Sequence, residues 1–400
     1  MSTDPIAAEE RIASPPRRYT LDGDDAVEAR IEQDQQIIAK AIAAAVDPRH
    51  FAALVLIGGY GRGEGGYVHI DGAEPAPFDD YNYVLVLRKT GRRARAALMR
   101  RLAEVAASLR DQVGVDVRLS AMQAERLRQA EFSLMNAEMR WGHRVVAGDQ
   151  DLLLAMRPMP FHRLPAGEIT RLMLNRGALL LMNQQRLQPG GLGPDAREVH
   201  FKQLLKAVLA CGDARLAAVG RYHPSYPVKL ERLEASSGPA AELLLGAGER
   251  DKFLTLYRVA YRHRFHPSYG EFDQESPLDW QARAVRLWLS TLRNFEIHRL
   301  GSSFDSWSDY CRPVIGKGQT GNPLLKLSLG ARAFRAAEAL RRPGRAWRHP
   351  RERLISALPL LLSESGSILD PCAASALALA PQTLWKDAAD EFLRLWPRLA

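Results

Sequence analysis

Apolar positions in the N-terminal third follow first helical and then strand spacing. Isoleucines at helical intervals predict a helix over residues 25–47. A short apolar run over residues 51–57 then stops at Gly58-Gly59, which predicts a buried strand that meets a turn. A second strand is predicted over residues 81–87, where β-branched and aromatic residues are enriched.

The pattern then returns to a helix and a third strand. Residues 91–112 place Leu98, Leu102, Val105 and Leu109 on one helical face, so they predict an amphipathic helix. Residues 113–119 predict a third strand, interrupted by a polar position at residue 116. The order helix, strand, turn, strand, helix, strand predicts a mixed α/β sheet unit.

Strand signals nearly vanish after about residue 122, and helical patterns continue to the C-terminus. The predicted fold class is therefore α+β, with an N-terminal mixed-sheet domain followed by an all-α helical domain. We predict a loose arm over residues 1–24, a core domain over 25–155 and a helical domain over 156–400. One short string recurs: Arg221-Tyr-His-Pro-Ser-Tyr226 returns as Arg264-Phe-His-Pro-Ser-Tyr269, as a helical repeat or as two similar helix ends stopped by proline.

Composition narrows the class of protein and its compartment. The 400 residues are 46% hydrophobic and 25% charged, as expected of a globular chain with no run long enough to span a bilayer. The N-terminus lacks the basic-then-apolar order of a secretory signal, so a cytoplasmic location without a membrane partner is expected. The three cysteines form no CxxC pair, and His143 and His200 lack partners at ligand spacing, so these residues are assigned to the structure.

Charge is distributed unevenly along the chain. Residues 1–150 contain 20 Lys+Arg and 22 Asp+Glu, out of chain totals of 55 and 46. Residues 151–400 therefore contain 35 Lys+Arg and 24 Asp+Glu, a surplus of +11. This asymmetry indicates an acidic ligand, such as a nucleotide or another polyanion. Arginines interleaved with Trp347 between residues 332 and 353 suit either a solvated helix or contact with nucleic acid, which is the less favoured partner.

The chemistry is concentrated between residues 58 and 116. A glycine-rich turn over residues 58–66 follows the first strand, where backbone N–H groups can approach a phosphate closely. Asp80 and Asn82 are two residues apart on a strand, so both side chains leave the same face. If the strand holding Asp116 lies alongside, three oxygen-bearing side chains converge, as Mg²⁺ coordination requires.

This order of a strand, a Gly-Gly turn, an Asp-x-Asp-like pair on a strand and a third Asp on another strand resembles that of DNA-polymerase-β-like nucleotidyltransferases. Residues 137–149 are similar to the segment that follows the core in small-substrate, antibiotic-type members. Residues 200–206 are similar to part of their helical accessory domain. The likeness covers residues 52–150 and is looser beyond them.

The resemblance implies roles for individual residues. Asp80, Asn82 and Asp116 would be the catalytic and metal-binding residues, with Mg²⁺ as cofactor, and Asp116 would help to deprotonate the acceptor. The nucleotide, most simply ATP, would be bound by Gly58, Gly59, Arg62, Lys202 and Lys206. The implied activity is transfer of a nucleoside monophosphate from Mg-NTP to a hydroxyl of a small-molecule or protein acceptor.

Two departures from the family pattern leave alternatives open. Asn82 stands where the family has a second carboxylate, which removes one negative charge from a divalent-metal site. The gap between Gly59 and Asp80 is also long, and Glu64, Asp71, Glu74 and Asp79 are candidates for the missing charge. The alternatives are a degenerate, non-catalytic member that binds a nucleotide or a partner, and a transferase that acts on RNA.

Overall fold

A small mixed β-sheet organises the N-terminal part of the chain, and helices make up most of the remainder, so the fold is α+β. The computed structural model describes residues 18–69, 74–187, 192–236, 249–312, 317, 350–363 and 369–399.

Contacts divide these residues into two compact units. The sheet unit comprises the described residues of Met1–Leu164, His223–Leu230 and Tyr261–Ser268. The helical unit comprises those of Pro165–Tyr222, Glu231–Ala260 and Tyr269–Ala400. Two short segments from the C-terminal part therefore group with the sheet, which a single boundary near residue 155 does not describe.

The sheet unit alternates strands with helices, as the periodicity predicts. Its strands are β1 (Phe51–Ile57), β2 (Tyr67–Val68), β3 (Ala76–Pro77), β4 (Tyr81–Leu87), β5 (Val117–Gln123) and β6 (Arg144–Gly148). Its helices are α1 (Asp25–Ala45), α2 (Gly58–Arg62), α3 (Arg92–Val113) and α4 (Leu134–Trp141).

The main sheet has the order β5-β4-β1-β6. β1 runs antiparallel to both β4 and β6, whereas β4 and β5 are parallel, with Tyr81 paired to Val117. Strands β2 and β3 form a separate two-stranded antiparallel sheet. The parallel pair is joined by α3, the crossover that parallel strands require.

Helix α1 attaches to the sheet through buried polar groups as well as apolar ones. The Tyr81 hydroxyl donates to Asp34 Oδ2 at 2.9 Å, and the Tyr83 hydroxyl donates to Gln35. Asp34 is 1% exposed, and its burial raises the pKa of the carboxyl group. These hydrogen bonds satisfy polar groups that burial would otherwise leave unpaired, and they fix α1 against the sheet.

Three sequence-based predictions about this unit are corrected. The third strand is Val117–Gln123 rather than 113–119, because Gly114 adopts a left-handed conformation that ends α3 after Val113. β6 lies beyond residue 122, where strand signal was not recognised. Residues 18–24 are not a loose arm: Tyr19 is buried, and its backbone N–H donates to Glu28. Residues 1–17 of that arm lie outside the described residues.

The described part of the helical unit consists of helices and loops. These helices are α5 (Ala166–Arg186), α6 (Pro194–Ala218), α7 (Tyr226–Glu234), α8 (Arg250–Phe265), α9 (Pro277–Leu300), α10 (Trp307–Cys311), α11 (Pro350–Ser363), α12 (Pro371–Leu377) and α13 (Trp385–Leu399), of which α7 and α8 continue into the sheet unit. Trp288 lies in the core of this unit, where it is fully buried and its indole N–H donates to Met173 O at 3.1 Å. Gly177 allows this packing, because a Cβ there would lie 2.4 Å from the Trp288 ring.

The first prediction concerns the end of β6. Gly148 has φ +95°, and a Cβ there would lie 2.2 Å from the backbone oxygen of Ala52. Gly148→Ala should therefore lower the free energy of unfolding by about 3 kcal/mol or more, as strain adds to a backbone clash. Gly114→Ala is the matched control: φ is +80° there, but nothing lies within 4 Å of the added Cβ, so a loss of only about 1 kcal/mol is expected. Equal losses in urea titrations would contradict this account.

The second prediction concerns pH. His200 on α6 is 0% exposed, and burial lowers the pKa of its imidazole to about 4. The unfolded chain, with a histidine pKa of about 6.5, then binds more protons below that pH, so stability falls between pH 6.5 and 4 by about 3 kcal/mol. His200→Leu should flatten this part of the profile in urea unfolding across pH. His298→Leu, at an exposed position of the same unit, should leave the profile unchanged; an unaltered profile in His200→Leu would contradict the assignment.

Candidate functional site

Strands β4 and β5 begin side by side, and this brings two of the predicted site residues to the same end of the sheet. The Tyr81 N–H donates to Asp116 O at 2.9 Å, and Tyr81 pairs with Val117, the residue after Asp116. Asp80 and Asp116 thus both immediately precede paired strand residues. The antiparallel partner β1 ends here as well, because Ile57 pairs with Asn82. We call this end, where β1 stops and β4 and β5 start, the head of the sheet.

The glycine turn lies at the head of the sheet. Gly58 has φ +75°, a conformation that favours glycine, and a Cβ at this position would lie 3.9 Å from Asn82 Nδ2. The turn therefore starts beside the Asn82 side chain. Its residues form the short helix α2, and the chain leaves it through Gly63, which is also left-handed. The sequence-predicted Gly58, Asp80, Asn82 and Asp116 are accordingly neighbours along three adjacent strand ends.

Both predicted carboxylates have arginine partners. Arg118 Nε lies 2.7 Å from Asp80 Oδ2, and Arg110 Nε lies 3.3 Å from Asp116 Oδ1. The two arginine side chains are 65% and 68% exposed. The Asp116 side chain is 50% exposed, so its ion pair contributes only about 0–1 kcal/mol and another cation can displace Arg110 at small cost. The Asp80 side chain is only 14% exposed, so solvent screens its pair with Arg118 less.

Asn82 is oriented by its own neighbour. Its side-chain N–H donates to Asp80 O at 3.2 Å, which turns the amide oxygen away from that contact. The head of the sheet therefore offers two carboxylates and one amide oxygen as oxygen donors, the donor type that Mg²⁺ takes. Among the described residues there is no group of three or more His, Cys, Asp and Glu side chains able to hold a metal ion. Asn82 is an amide and is not of those types.

Arg62 has protein partners rather than an open face. Its side chain is 5% exposed and lies 3.8 Å from Glu64 and 3.4 Å from Glu138. Glu64 is itself buried, and its Oε2 accepts the backbone N–H of Tyr226 at 3.2 Å. These contacts tie the glycine turn to α4 and to the segment around Tyr226, so Arg62 positions the turn. Its contact with a phosphate stays a prediction.

Two cations at the head of the sheet were missed by the sequence reasoning. Arg264 Nη1 lies 3.4 Å from Asp79 Oδ2, and a Cβ on Gly59 would lie 2.8 Å from Arg264 Nη2. The Arg264 guanidinium and the Lys229 ammonium each lie 4.3 Å from the centre of the Tyr226 ring, within the range of cation–π attraction. Lys229 is 1% exposed. The recurring string was the available signal, since Tyr226 ends its first copy and Arg264 begins its second.

The Tyr60 hydroxyl fixes the loop that leads into β4. It donates to Gly66 O at 2.6 Å and accepts the N–H groups of Phe78 at 3.1 Å and Asp79 at 3.3 Å. Tyr60 is 2% exposed, and burial raises the pKa of its hydroxyl above the ordinary range. One side chain of the turn thus holds both ends of the loop between the glycine turn and Asp80.

The remaining predicted nucleotide-binding residues belong to the helical unit. Lys202 and Lys206 are half-buried on α6, four residues apart. Their predicted contact with a triphosphate stays a prediction. The arginine-rich stretch between residues 332 and 353 lies outside the described residues up to residue 349.

Comparisons of the chain with protein-family models, with curated proteins and with solved structures find no match. None of the described helices combines the length and the apolar character needed to cross a membrane.

The third prediction follows from the Tyr60 hydroxyl. Tyr60→Phe leaves two half-buried N–H groups and one buried carbonyl without this partner, so the free energy of unfolding should fall by about 2–4 kcal/mol. Tyr67→Phe is the control, because the Tyr67 hydroxyl makes a single long contact of 3.5 Å with Asp22, and its loss should be below about 1 kcal/mol. Chemical denaturation of both variants measures the difference. Equal values would show that the hydroxyl does not organise this loop.

Proposed function

We propose that this chain is a nucleotidyltransferase that moves a nucleoside monophosphate from an NTP to a hydroxyl of a small-molecule or protein acceptor. The observation that carries the proposal is the register of the strand ends. Parallel pairing sets Asp80 beside Asp116, and antiparallel pairing sets Gly58 beside Asn82. The resemblance of the sequence to polymerase-β-like nucleotidyltransferases requires this placement of the turn and the carboxylates.

The donor set suits a magnesium ion that arrives with a nucleotide. Asp80, Asn82 and Asp116 would hold the ion, after Arg118 and Arg110 release the carboxylates. Bound Mg²⁺ would neutralise charge on the phosphates during transfer. With an amide at position 82 the site has one negative charge fewer than a three-carboxylate site, so the triphosphate itself completes the charge around the ion.

The phosphates would be held by groups of the chain that carry positive charge or N–H donors. The backbone N–H groups of Gly58 and Gly59 lie at the turn, and Arg264 lies against Gly59. Arg118, once displaced from Asp80, adds a second guanidinium at the same strand end. Phosphoryl-type transfer needs mainly positioning and charge neutralisation, and these groups provide both.

Asp116 is the residue suited to receive the acceptor proton. Its side chain is 50% exposed, so an acceptor hydroxyl can approach its carboxylate. In the transfer, the acceptor oxygen bonds to the α-phosphorus, the bond from that phosphorus to the bridging oxygen breaks, and pyrophosphate leaves. The hydroxyl proton passes to Asp116. The substitution of ATP by another NTP changes none of these steps.

A second candidate function is binding of a nucleotide without transfer. The observation that favours it is the 2.7 Å ion pair between Arg118 and Asp80, together with the amide at position 82. In that case Arg118 would take the place of a metal ion permanently. The two functions differ in whether a divalent cation displaces the arginine.

The fourth prediction distinguishes these two functions by calorimetric titration of Mg²⁺. Wild type should bind Mg²⁺ weakly alone and at least ten times more tightly with a non-hydrolysable ATP analogue. Asn82→Asp should raise the affinity without nucleotide, because it restores a carboxylate. Arg118→Met should raise it about fivefold or more, the equivalent of about 1 kcal/mol or more for an ion pair whose carboxylate is mostly buried. Asp80→Ala should remove the binding.

Activity is measured on the same proteins as pyrophosphate release from ATP with candidate acceptors. Wild type should release pyrophosphate, Asp80→Ala and Asp116→Ala should not, and Arg126→Met, at an exposed arginine outside the head of the sheet, should behave as wild type. If all the variants bind Mg²⁺ alike and none releases pyrophosphate, the proposed transferase activity is wrong. Nucleotide binding that persists in that case supports the second candidate.

A further inference from the structure

An open cavity of about 670 Å³ lies within the helical unit, between α8 and α9. Its apolar lining includes Phe253, Leu256, Trp280 and Leu287. Volumes between about 300 and 1,000 Å³ are typical of sites that bind small molecules. None of the residues proposed above for nucleotidyl transfer lines it.

Two buried nitrogen donors without acceptors belong to residues that line this cavity. Among the described residues, none accepts from Trp280 Nε1 or Arg283 Nε, and both residues line the cavity. The Nη2 group of Arg283 donates to Glu275, so only its Nε atom lacks an acceptor. The Arg283 guanidinium lies 4.2 Å from the centre of the Trp280 ring, which keeps the two donors adjacent. Buried N–H groups normally have a partner, so these two atoms leave a place for an acceptor.

Arg215 adds a buried positive charge beside the same cavity. It is 2% exposed, and its guanidinium stacks 3.8 Å from the centre of the Phe253 ring. Its Nε and Nη1 also lack acceptors in the described part of the chain. Burial lowers the pKa of this guanidinium to about 10, so the group remains charged at neutral pH. Charge and unpaired donors therefore favour an anion.

The rim sets a limit on how much negative charge the ligand carries. Three cations and two anions line the cavity, a net charge of 3 − 2 = +1: Lys252, Arg283, Arg286, Glu249 and Asp251. Arg283 also pairs with Glu275 outside this lining. Glu249 also interacts electrostatically with Arg215. The two carboxylates repel a triphosphate strongly because it carries several negative charges. They repel a monocarboxylate much less, because it carries only one. The apolar walls require the remainder of the ligand to be aromatic or aliphatic.

We propose that this cavity is a binding site for a small amphipathic carboxylate. Its apolar body lies against Phe253, Leu256 and Trp280. Its carboxylate accepts from the Trp280 indole and from Arg283, with the positive charge of Arg215 behind the Phe253 ring. The site is independent of the proposed nucleotidyl transfer, because binding here uses no residue from the head of the sheet.

The fifth prediction tests this site with 1-naphthoate, a flat aromatic monoanion, titrated calorimetrically into the full chain. Saturable binding is expected, and 1-naphthylmethanol, the neutral counterpart, should bind at least ten times more weakly, because the acceptor would lack charge. Leu256→Trp should abolish binding by filling the cavity. Trp280→Phe keeps an aromatic ring but removes the indole N–H donor, so it should weaken binding about threefold to tenfold.

Two controls separate the site from its surroundings. Trp385→Phe removes an indole donor elsewhere in the helical unit, one that already donates to Leu361 O at 2.8 Å, and should leave naphthoate affinity unchanged. Asp80→Ala should also leave it unchanged, even where transfer activity is lost. Circular dichroism of each variant monitors folding, and Leu256→Trp at a half-buried position provides the test if Trp280→Phe fails to fold.

Three outcomes would overturn the proposal. Absence of saturable binding at millimolar naphthoate would exclude the site. Binding that survives Leu256→Trp would place the ligand elsewhere. Equal affinity for the acid and the alcohol would remove the role of the unpaired donors.

Discussion

The parallel register between β4 and β5 is the constraint on which the candidate site depends. A shift of one residue would place Asp80 opposite Val117 and turn one of the two aspartates to the other face of the sheet. Tyr81 and Tyr83 of β4 are in turn hydrogen-bonded to Asp34 and Gln35 of α1. Hydrogen bonds from α1 therefore hold the strand that directly follows Asp80.

The order of the strands then accounts for the other neighbours. Because β1 is antiparallel to β4, its last residue, Ile57, lies beside Asn82, and the chain has to turn there. Gly58 supplies the left-handed conformation that this turn uses. Tyr60, two residues later, holds the loop that returns to Asp80. Turn and carboxylates are thus parts of one hydrogen-bonded arrangement rather than separate motifs.

The sheet unit could be predicted from sequence where local patterns determine structure. The strand over residues 81–87 has the predicted bounds, since its β-branched and aromatic residues are a strong signal. The third strand was misplaced because Val113 and Val115 extend its apolar pattern backwards, while the left-handed Gly114 interrupts the chain. β6 is five residues long and only half-buried, so its apolar signal is weak.

Long-range contacts could not be predicted in the same way. The sequence alone gives no sign that Arg118 and Arg110 have partners. Only the fold shows that each faces a carboxylate. Lys229 and Arg264 lie more than 140 residues from Asp80 along the chain, and their grouping with the sheet depends on how two helical segments pack. A string that recurs marks such segments, but it does not indicate which unit they join.

The charges at the head of the sheet bear on the proposed ligand. Asp80 and Asp116 have guanidinium partners, and Arg264 has Asp79, so each sign is already compensated by the other. An anion alone would pair with the arginines and leave carboxylates exposed to its own charge, and a cation alone would do the reverse. A ligand that carries both signs replaces both halves of these pairs together, since its cation takes the carboxylates and its phosphates take the freed guanidinium groups. A metal-bound nucleotide has this property, and neither component has it separately. The internal ion pairs therefore favour joint over separate binding, and in the proposed transferase this is how the amide of Asn82 would be accommodated.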